Sequence, residues 1–345
     1  MGEFDLIKRY FTRPVAHAAL GVGDDCALLQ PRPGTQLAIS SDMLVEGRHF
    51  FADVDPTTLG HKVLAVNLSD LAACGAKPLA FTLALALPTV DETWLAGFSR
   101  GLFALADLHG CELVGGDTTQ GPLNICITVF GEMPVVQGQS QALLRSGAKA
   151  GDDLYVSGTL GDARLALEAL RGHVALPASL FAPARARLEQ PAPRVALGLT
   201  LRGVASAAID VSDGLLGDLQ HILRASGVGA TIDTSIAIDL IAACAHSDWA
   251  AGIISLQKQL QYVLAGGDDY ELAFTAPPSA RQAVQHAAHL AGTPVTRIGQ
   301  INATPGLRLI DASGQASPGD LGDFGPDTSG CFTPGLAMNF SLSNL

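Results

Sequence analysis

Aspartates recur where apolar runs meet turn-forming residues: Asp24 and Asp25 in GVGDDCALL, Asp42 in AISSDMLVEGRHF, Asp70 in AVNLSDLAACGA, Asp117 in LVGGDTTQG, and Asp210 and Asp213 in AIDVSDGLLGDL. A strand that ends at such a turn delivers its carboxylate to a surface site rather than to a solvated helix face. Magnesium takes hard oxygen ligands, usually one or two carboxylates completed by water and phosphate. Carboxylates from several strand ends therefore suit two or more ions around a polyphosphate. Without metal they would repel it. Taken singly, each aspartate also reads as an Asx turn or a helix N-cap.

Asp210-Val-Ser-Asp213-Gly is the most specific run. It places two carboxylates and the Ser212 hydroxyl at a strand-to-helix turn, where Gly214 allows a ligand to approach closely. Asp213 capping the helix that follows is the competing reading. Gly115-Gly116-Asp117-Thr118-Thr119 offers backbone N–H groups and hydroxyls beside a carboxylate, a cradle for phosphate and metal. The sequence has no GxxxxGK[ST] loop and no GxGxxG between a strand and a helix, which disfavours the ordinary nucleotide folds. Arg145 in RSGAKAGDD either forks onto a phosphate or is an exposed surface arginine. His49 in GRHF is either structural or part of a site near Asp42.

These residues need a frame. Strand-like runs LAIS, FTLALAL and NICITVFG alternate with helical patterns over Pro56–Cys74 and Asp91–Gly110, an α/β or α+β region from about Leu37 to Glu132. Turn formers and charge in RSGAKAGDD precede a new strand, DLYVSG, and set a boundary near Lys149–Gly151. Helical patterns over Gly161–Arg171, Pro177–Pro193, Ser212–Ser226 and Ala280–Ala291 belong to a second unit. The expected domains are 1–149 and 150–345, in keeping with a chain of 345 residues and single cores that stop growing at roughly 250–300 residues. The Gly-, Ser-, Pro- and Asp-rich tail from Ala312 reads as loop with a short final strand.

With 48% hydrophobic and 16% charged residues the chain is a buried globular protein rather than a disordered one. MGEFDLIKRYF lacks the features of a signal peptide, and no run of about 18 apolar residues suggests a membrane span. Six cysteines without a CxxC pair fit the cytoplasm, each read as a small buried residue. A net charge of −12 and the lack of a basic run argue against nucleic acid as a partner. A phosphorylated small molecule reached through divalent metal fits the motifs better.

Taken in order, GEFDLI at Gly2–Ile7, GVGDDCALL at Gly21–Leu29, Ser40-Ser41-Asp42, NLSDLAACGAKP at Asn67–Pro78, GGDTT at Gly115–Thr119, RSGAKAGD at Arg145–Asp152, DVSDGL at Asp210–Leu215 and GGDDYEL at Gly266–Leu272 resemble the thiamine-monophosphate kinase family. The resemblance implies an aminoimidazole ribonucleotide synthetase-like fold. Its N-terminal α/β domain would join its sheet to a twin across a homodimer, and ATP would lie between it and a C-terminal α/β domain. It also implies direct in-line transfer from ATP to thiamine monophosphate, giving ADP and thiamine diphosphate, with several Mg2+ ions. Asp25, Ser40, Ser41, Asp42, Asp70, Asp117, Asp210 and Asp213 match the family's magnesium positions. Asp70, Asp117 and Asp210 are expected to be catalytic. Gly116, Asp117, Arg145 and Ser212 match its nucleotide contacts, and His49 a substrate position.

Two departures bear on the thiamine end. Asp268 stands where the family often has Glu, one methylene longer. The family's Gly-aromatic-Asp-His-Phe is replaced by Gly322-Asp323-Phe324-Gly325, which makes Phe324 the expected aromatic contact. Aminoimidazole ribonucleotide synthetase, selenophosphate synthetase and the hydrogenase maturation dehydratase share the implied fold and are the competing enzymes. A non-catalytic ATP- or metal-binding protein is the competing class.

Overall fold

The computed structural model describes residues 2–249 and 252–316. The first half contains α1 (Glu3–Tyr10), β1 (Ala18–Leu20), β2 (Leu28–Leu29), β3 (Thr35–Val45), α2 (Pro56–Cys74), β4 (Lys77–Leu87), α3 (Glu92–His109), β5 (Glu112–Gln120), β6 (Asn124–Val136) and β7 (Gln139–Ser140). The second contains β8 (Asp153–Ser157), α4 (Asp162–Leu170), α5 (Ala178–Glu189), α6 (Val195–Leu201), β9 (Ala207–Val211), α7 (Leu215–Ser226), β10 (Gly229–Asp233), α8 (Thr234–Ala237), α9 (Leu256–Ala265), β11 (Glu271–Ala276), α10 (Arg281–Ala291), β12 (Val295–Asn302) and β13 (Gly306–Ile310).

The long N-terminal strands form a sheet in the order β3-β6-β4-β5, with β7 beside β6. Alternation in FTLALAL puts Phe81, Leu83, Leu85 and Leu87 on the face buried against α2 and α3. Thr82, Ala84 and Ala86 lie on the opposite, open face. Asp55 caps α2 by accepting the Thr57 and Thr58 N–H groups, Pro56 follows at the first helical position, and Gly75 ends the helix at φ 73°. At Gly101 on α3 a Cβ would sit 1.8 Å from the Thr57 carbonyl, so the two helices cross in backbone contact.

The C-terminal sheet runs β13-β10-β12-β8-β11-β9. Only β10 and β13 are parallel among its pairs. The core around α2 continues into this half through Val195, Leu197, Leu201, Ala208, Leu272 and Phe274. α2 is thus apolar on nearly every side, with Leu59, Val63, Leu64, Leu68 and Leu71 buried. Each contributes about 1.5–3 kcal/mol on burial.

The cysteines are not uniformly buried, contrary to expectation. Cys111 is buried and Cys74, Cys126 and Cys244 are half-buried, but Cys26 is exposed, because it follows Asp25 in the solvated turn between β1 and β2. Cys331, Phe324 and the expected final strand lie outside the described residues.

Candidate active site

A polar side chain buried without a partner costs about 1–3 kcal/mol. Each polar residue on the buried helix α2 therefore reports a contact. Asn67 accepts the Asp42 N–H at 3.0 Å and donates to the Val63 carbonyl at 2.9 Å. Ser69 donates to Asp210 Oδ2 at 2.8 Å. Asp70 accepts the Ser40 hydroxyl at 2.5 Å. Lys62 pairs with Asp268 Oδ1 at 3.3 Å and donates to the His49 carbonyl at 3.3 Å. One helix thereby draws β3, β9 and the loop before β11 to one place.

Burial raises the proton affinity of the carboxylates gathered there, and for Asp42 and Asp210 neighbouring carboxylate charges add to it. Burial, then the charges of Asp70 and Asp213, push Asp42 up to about 6. Burial, then Asp70, pushes Asp210 up to about 7. Asp70 is also raised by burial, with the Ser40 hydroxyl and the Arg145 charge opposing. Arg145 is exposed but close enough to act on Asp70.

At the Asp210–Gly214 turn, Asp213 does not cap the following helix: α7 begins after Gly214, φ 111°, with no side-chain cap. Asp218 reaches back from the first turn of α7 and accepts the Ser212 and Asp213 N–H groups at 2.9 and 3.0 Å. Burial, then Asp213, pushes Asp218 up to about 7. The exposed Asp213 carboxylate is left free to meet a ligand.

On the other flank, Asp268 and Tyr270 have φ of 65° and 51°. Such left-handed residues cost about 1–3 kcal/mol each and must be held. Asp268 N–H donates to the Ser212 carbonyl at 2.9 Å, Tyr270 N–H to Val211 at 2.8 Å, and the Tyr270 hydroxyl to Asp268 Oδ1 at 3.1 Å. His49 Nδ1 accepts the Val45 N–H at 3.0 Å, so the neutral ring carries its proton on Nε2. Burial lowers the His49 pKa, with Asp268 opposing.

Not every expected residue joins this group. Asp42 and Asp117 lie inside strands and Asp70 on a helix, not at strand ends. Ser41 lies on the opposite face of β3 from Ser40 and Asp42, its hydroxyl beside Thr128 Oγ1 at 2.9 Å, so a ligand role would have to use its main chain. GGDTT is strand rather than turn. Register carries Met43, Cys126, Ala84 and Asp117 across the open face, while Asp42 shares the helix face with Ile127 and Leu83. Two strands separate β3 from β5, roughly 14 Å at the usual spacing. Asp117 is thus apart from the Asp42–Asp70–Asp210 group in one protomer, and exposed Gly116 belongs to that same far edge. Asp25 is exposed in its turn, and its side chain joins none of the other carboxylates among the described residues.

Among the described residues, no three His, Cys, Asp or Glu side chains close round a single point as a finished metal cage. The donor set still fits magnesium. It consists of hard oxygens that repel one another for want of positive charge, and magnesium is commonly held by one or two carboxylates with water and phosphate completing its shell.

Residues 23–133 match the family model described as AIR synthase related protein, N-terminal domain, and residues 149–312 that of its C-terminal domain. Over 315 residues the chain is 47% identical to the thiamine-monophosphate kinase of Salmonella typhimurium strain LT2, with 90% of this chain and 93% of that protein covered. The chain belongs to the thiamine-monophosphate kinase family. A crystal structure of thiamine-monophosphate kinase from Stenotrophomonas maltophilia K279a is 43% identical and superposes with a TM-score of 0.78, covering 91% of this chain and 96% of that one. AaThiL complexed with AMPPCP and TMP is 27% identical, with a TM-score of 0.69 over 92% and 94% of the two chains. The thiamine-monophosphate kinase family and its aminoimidazole ribonucleotide synthetase-like fold are those expected from the motifs. Sequence reading assigned no role to Lys62, Asn67, Ser69 and Asp218. The first three were marked by polarity on an otherwise apolar helix, and Asp218 by no signal that separates it from a surface carboxylate.

Proposed function

We propose that this protein transfers the terminal phosphoryl group of ATP to the phosphate of thiamine monophosphate, giving ADP and thiamine diphosphate, with Mg2+. The observation that carries the reading is the convergence of Asp42, Asp70 and Asp210 from three elements into one carboxylate group whose pKa values are raised, first by burial. The relative complexed with AMPPCP and TMP supports the two substrates.

Bound magnesium supplies the positive charge that lets polyphosphate approach these carboxylates. Asp42, Asp70, Asp210, Asp213 and the Ser40 hydroxyl would hold it, with Asp25, Asp117 and the Ser41 main chain as further candidates. The acceptor is a phosphate oxygen, largely ionised near neutral pH with a second pKa of about 6, so no side chain is required as a base. One P–O bond forms to that oxygen as the bond to ADP breaks, with no phosphoenzyme. Positioning and charge are the protein's share. Arg145 pairs with phosphate, Ser212, Gly116 and Asp117 contact the nucleotide, and His49 and Asp268 hold the thiamine end. Phe324, the proposed aromatic contact, lies outside the described residues.

The open sheet face supports a homodimer. β3 is an edge strand whose Leu37, Ile39 and Met43 are exposed on one side. A second copy covering that face would bury them. It would also bring in its own Asp117, so that Asp117 and Gly116 serve the partner's carboxylate group. The second matched segment, which begins at residue 149, supports a domain division there. No helix among the described residues is long and apolar enough to cross a membrane. Free cysteines fit a cytoplasmic protein, and the net charge of −12 fits small-molecule partners rather than nucleic acid.

Phosphorus NMR of the protein with ATP, Mg2+ and thiamine monophosphate tests the reading. The monophosphate resonance should give way to those of thiamine diphosphate and ADP. ATP binding with no diphosphate formed would overturn it.

A further inference from the structure

Lys62 is an ammonium on α2, a helix with buried apolar residues on nearly every side, and is only 4% exposed. Packing alone would be served by a methionine or leucine, since a buried charge must be matched. Among the described residues it forms an ion pair with Asp268 Oδ1 and donates to the His49 carbonyl, two segments far apart in sequence that both carry proposed thiamine contacts. Tyr270 donates to the same Asp268 oxygen. Oδ1 is thus paired with Lys62 and bonded by Tyr270, while Asp268 Oδ2 accepts no hydrogen bond among the described residues, and the side chain keeps 33% exposure. His49 has Nδ1 committed to Val45, which leaves Nε2–H as the neutral ring's donor. Asp268 lies close enough for its charge to act on His49. One free acceptor and one free donor therefore sit near each other, both tied to Lys62.

We propose that Lys62 is a positioning residue that fixes substrate specificity: it ties Asp268 to the His49 turn, so that Asp268 Oδ2 and His49 Nε2–H together read a 4-aminopyrimidine edge. That edge presents an amino donor beside a ring-nitrogen acceptor, the complement of the pair. The proposal rests on the assignment of His49 and Asp268 to the thiamine end. It also gives Asp268 a reason to be shorter than Glu, because the lysine draws it toward α2.

The test uses the full chain and the variants Lys62→Met and Lys62→Arg, with thiamine monophosphate and its 4′-desamino analogue as acceptors. Lys62→Met should raise the KM for thiamine monophosphate about tenfold or more, leave the KM for ATP within about twofold, and raise the KM for the analogue, which keeps only the ring nitrogen, severalfold less. Lys62→Arg should recover part of the discrimination. Amides of Asp268–Tyr270 should exchange faster in Lys62→Met than in wild type, whatever the activity. An unchanged KM for thiamine monophosphate, an equal rise for both acceptors, or unchanged exchange would overturn the proposal. A wild-type protein that forms no thiamine diphosphate would instead overturn the kinase reading, while the exchange data would still judge the tie.

Discussion

Ser69 on α2 donates its hydroxyl to Asp210 Oδ2 on β9 at 2.8 Å, a buried hydrogen bond that joins the N-terminal helix to the edge of the C-terminal sheet. The neighbouring residue Asp70 meets Ser40 on β3. Two consecutive helical residues thus bring carboxylates from both halves of the chain to one site. Helix geometry separates them by about 100°, enough to address β9 with one and β3 with the other.

Ser40 and Ser41 should separate sharply. Ser40→Ala removes the donor to Asp70 and is expected to lower kcat/KM about tenfold or more. Ser41→Ala, on the open face, should stay within about threefold in an assay of the full chain. Equal losses in steady-state kinetics would contradict the face assignment.

Protonation should stabilise the metal-free protein. Asp42 at about 6 and Asp210 and Asp218 at about 7 lie above the unfolded value of about 3.9. The folded chain then binds more protons than the unfolded one, and this contribution is lost as pH rises through 6 to 7. Melting in EDTA should be lower at pH 8 than at pH 5.5, and Asp210→Asn should flatten the dependence. An unchanged slope in that variant would refute the role of Asp210. Added Mg2+ with an ATP analogue should recover more stability at pH 8.

Asp218→Ala leaves the Ser212 and Asp213 N–H groups without their acceptor. A loss of about 2–4 kcal/mol in denaturant unfolding is expected, with weaker ATP use because the Asp210–Gly214 turn loosens. Asp218→Asn, which keeps an acceptor, should lose less. Near wild-type stability of Asp218→Ala would remove Asp218 from the account.

Subunit mixing tests the proposed dimer. Asp70→Asn and Asp117→Asn should each be inactive alone. If Asp117 serves the partner's site, exchange between the two variants restores one intact site in each mixed dimer, about a quarter of wild-type activity in an equal mixture. No recovery after demonstrated exchange would place Asp117 elsewhere.

Much of this was legible in the chain. The helical patterns over Pro56–Cys74 and Ala280–Ala291 correspond to α2 and α10: α10 carries a clear helical period, while α2, apolar nearly all round, is marked by its length and by Asp55 and Gly75 at its ends. Asp42, Asp70, Asp210 and Asp213 stood out by spacing and by family resemblance, and the structure places them together. What the motifs could not show was the face each side chain occupies. Adjacent Ser40 and Ser41 look alike as a string but lie on opposite sides of β3, and Asp117 falls on the open face through the strand register. Lys62 escaped because a lone lysine in an apolar helix carries meaning only once Asp268, distant in sequence, is seen beside it.

The most direct test is the initial rate of thiamine diphosphate formation from ATP and thiamine monophosphate at saturating Mg2+, in wild type and in Asp210→Asn. Wild type should turn over, and Asp210→Asn should fall about 10²–10³-fold or more while its far-UV circular dichroism and melting cooperativity are retained. Wild-type rates in the folded Asp210→Asn variant would contradict the claim that this carboxylate group handles the phosphates.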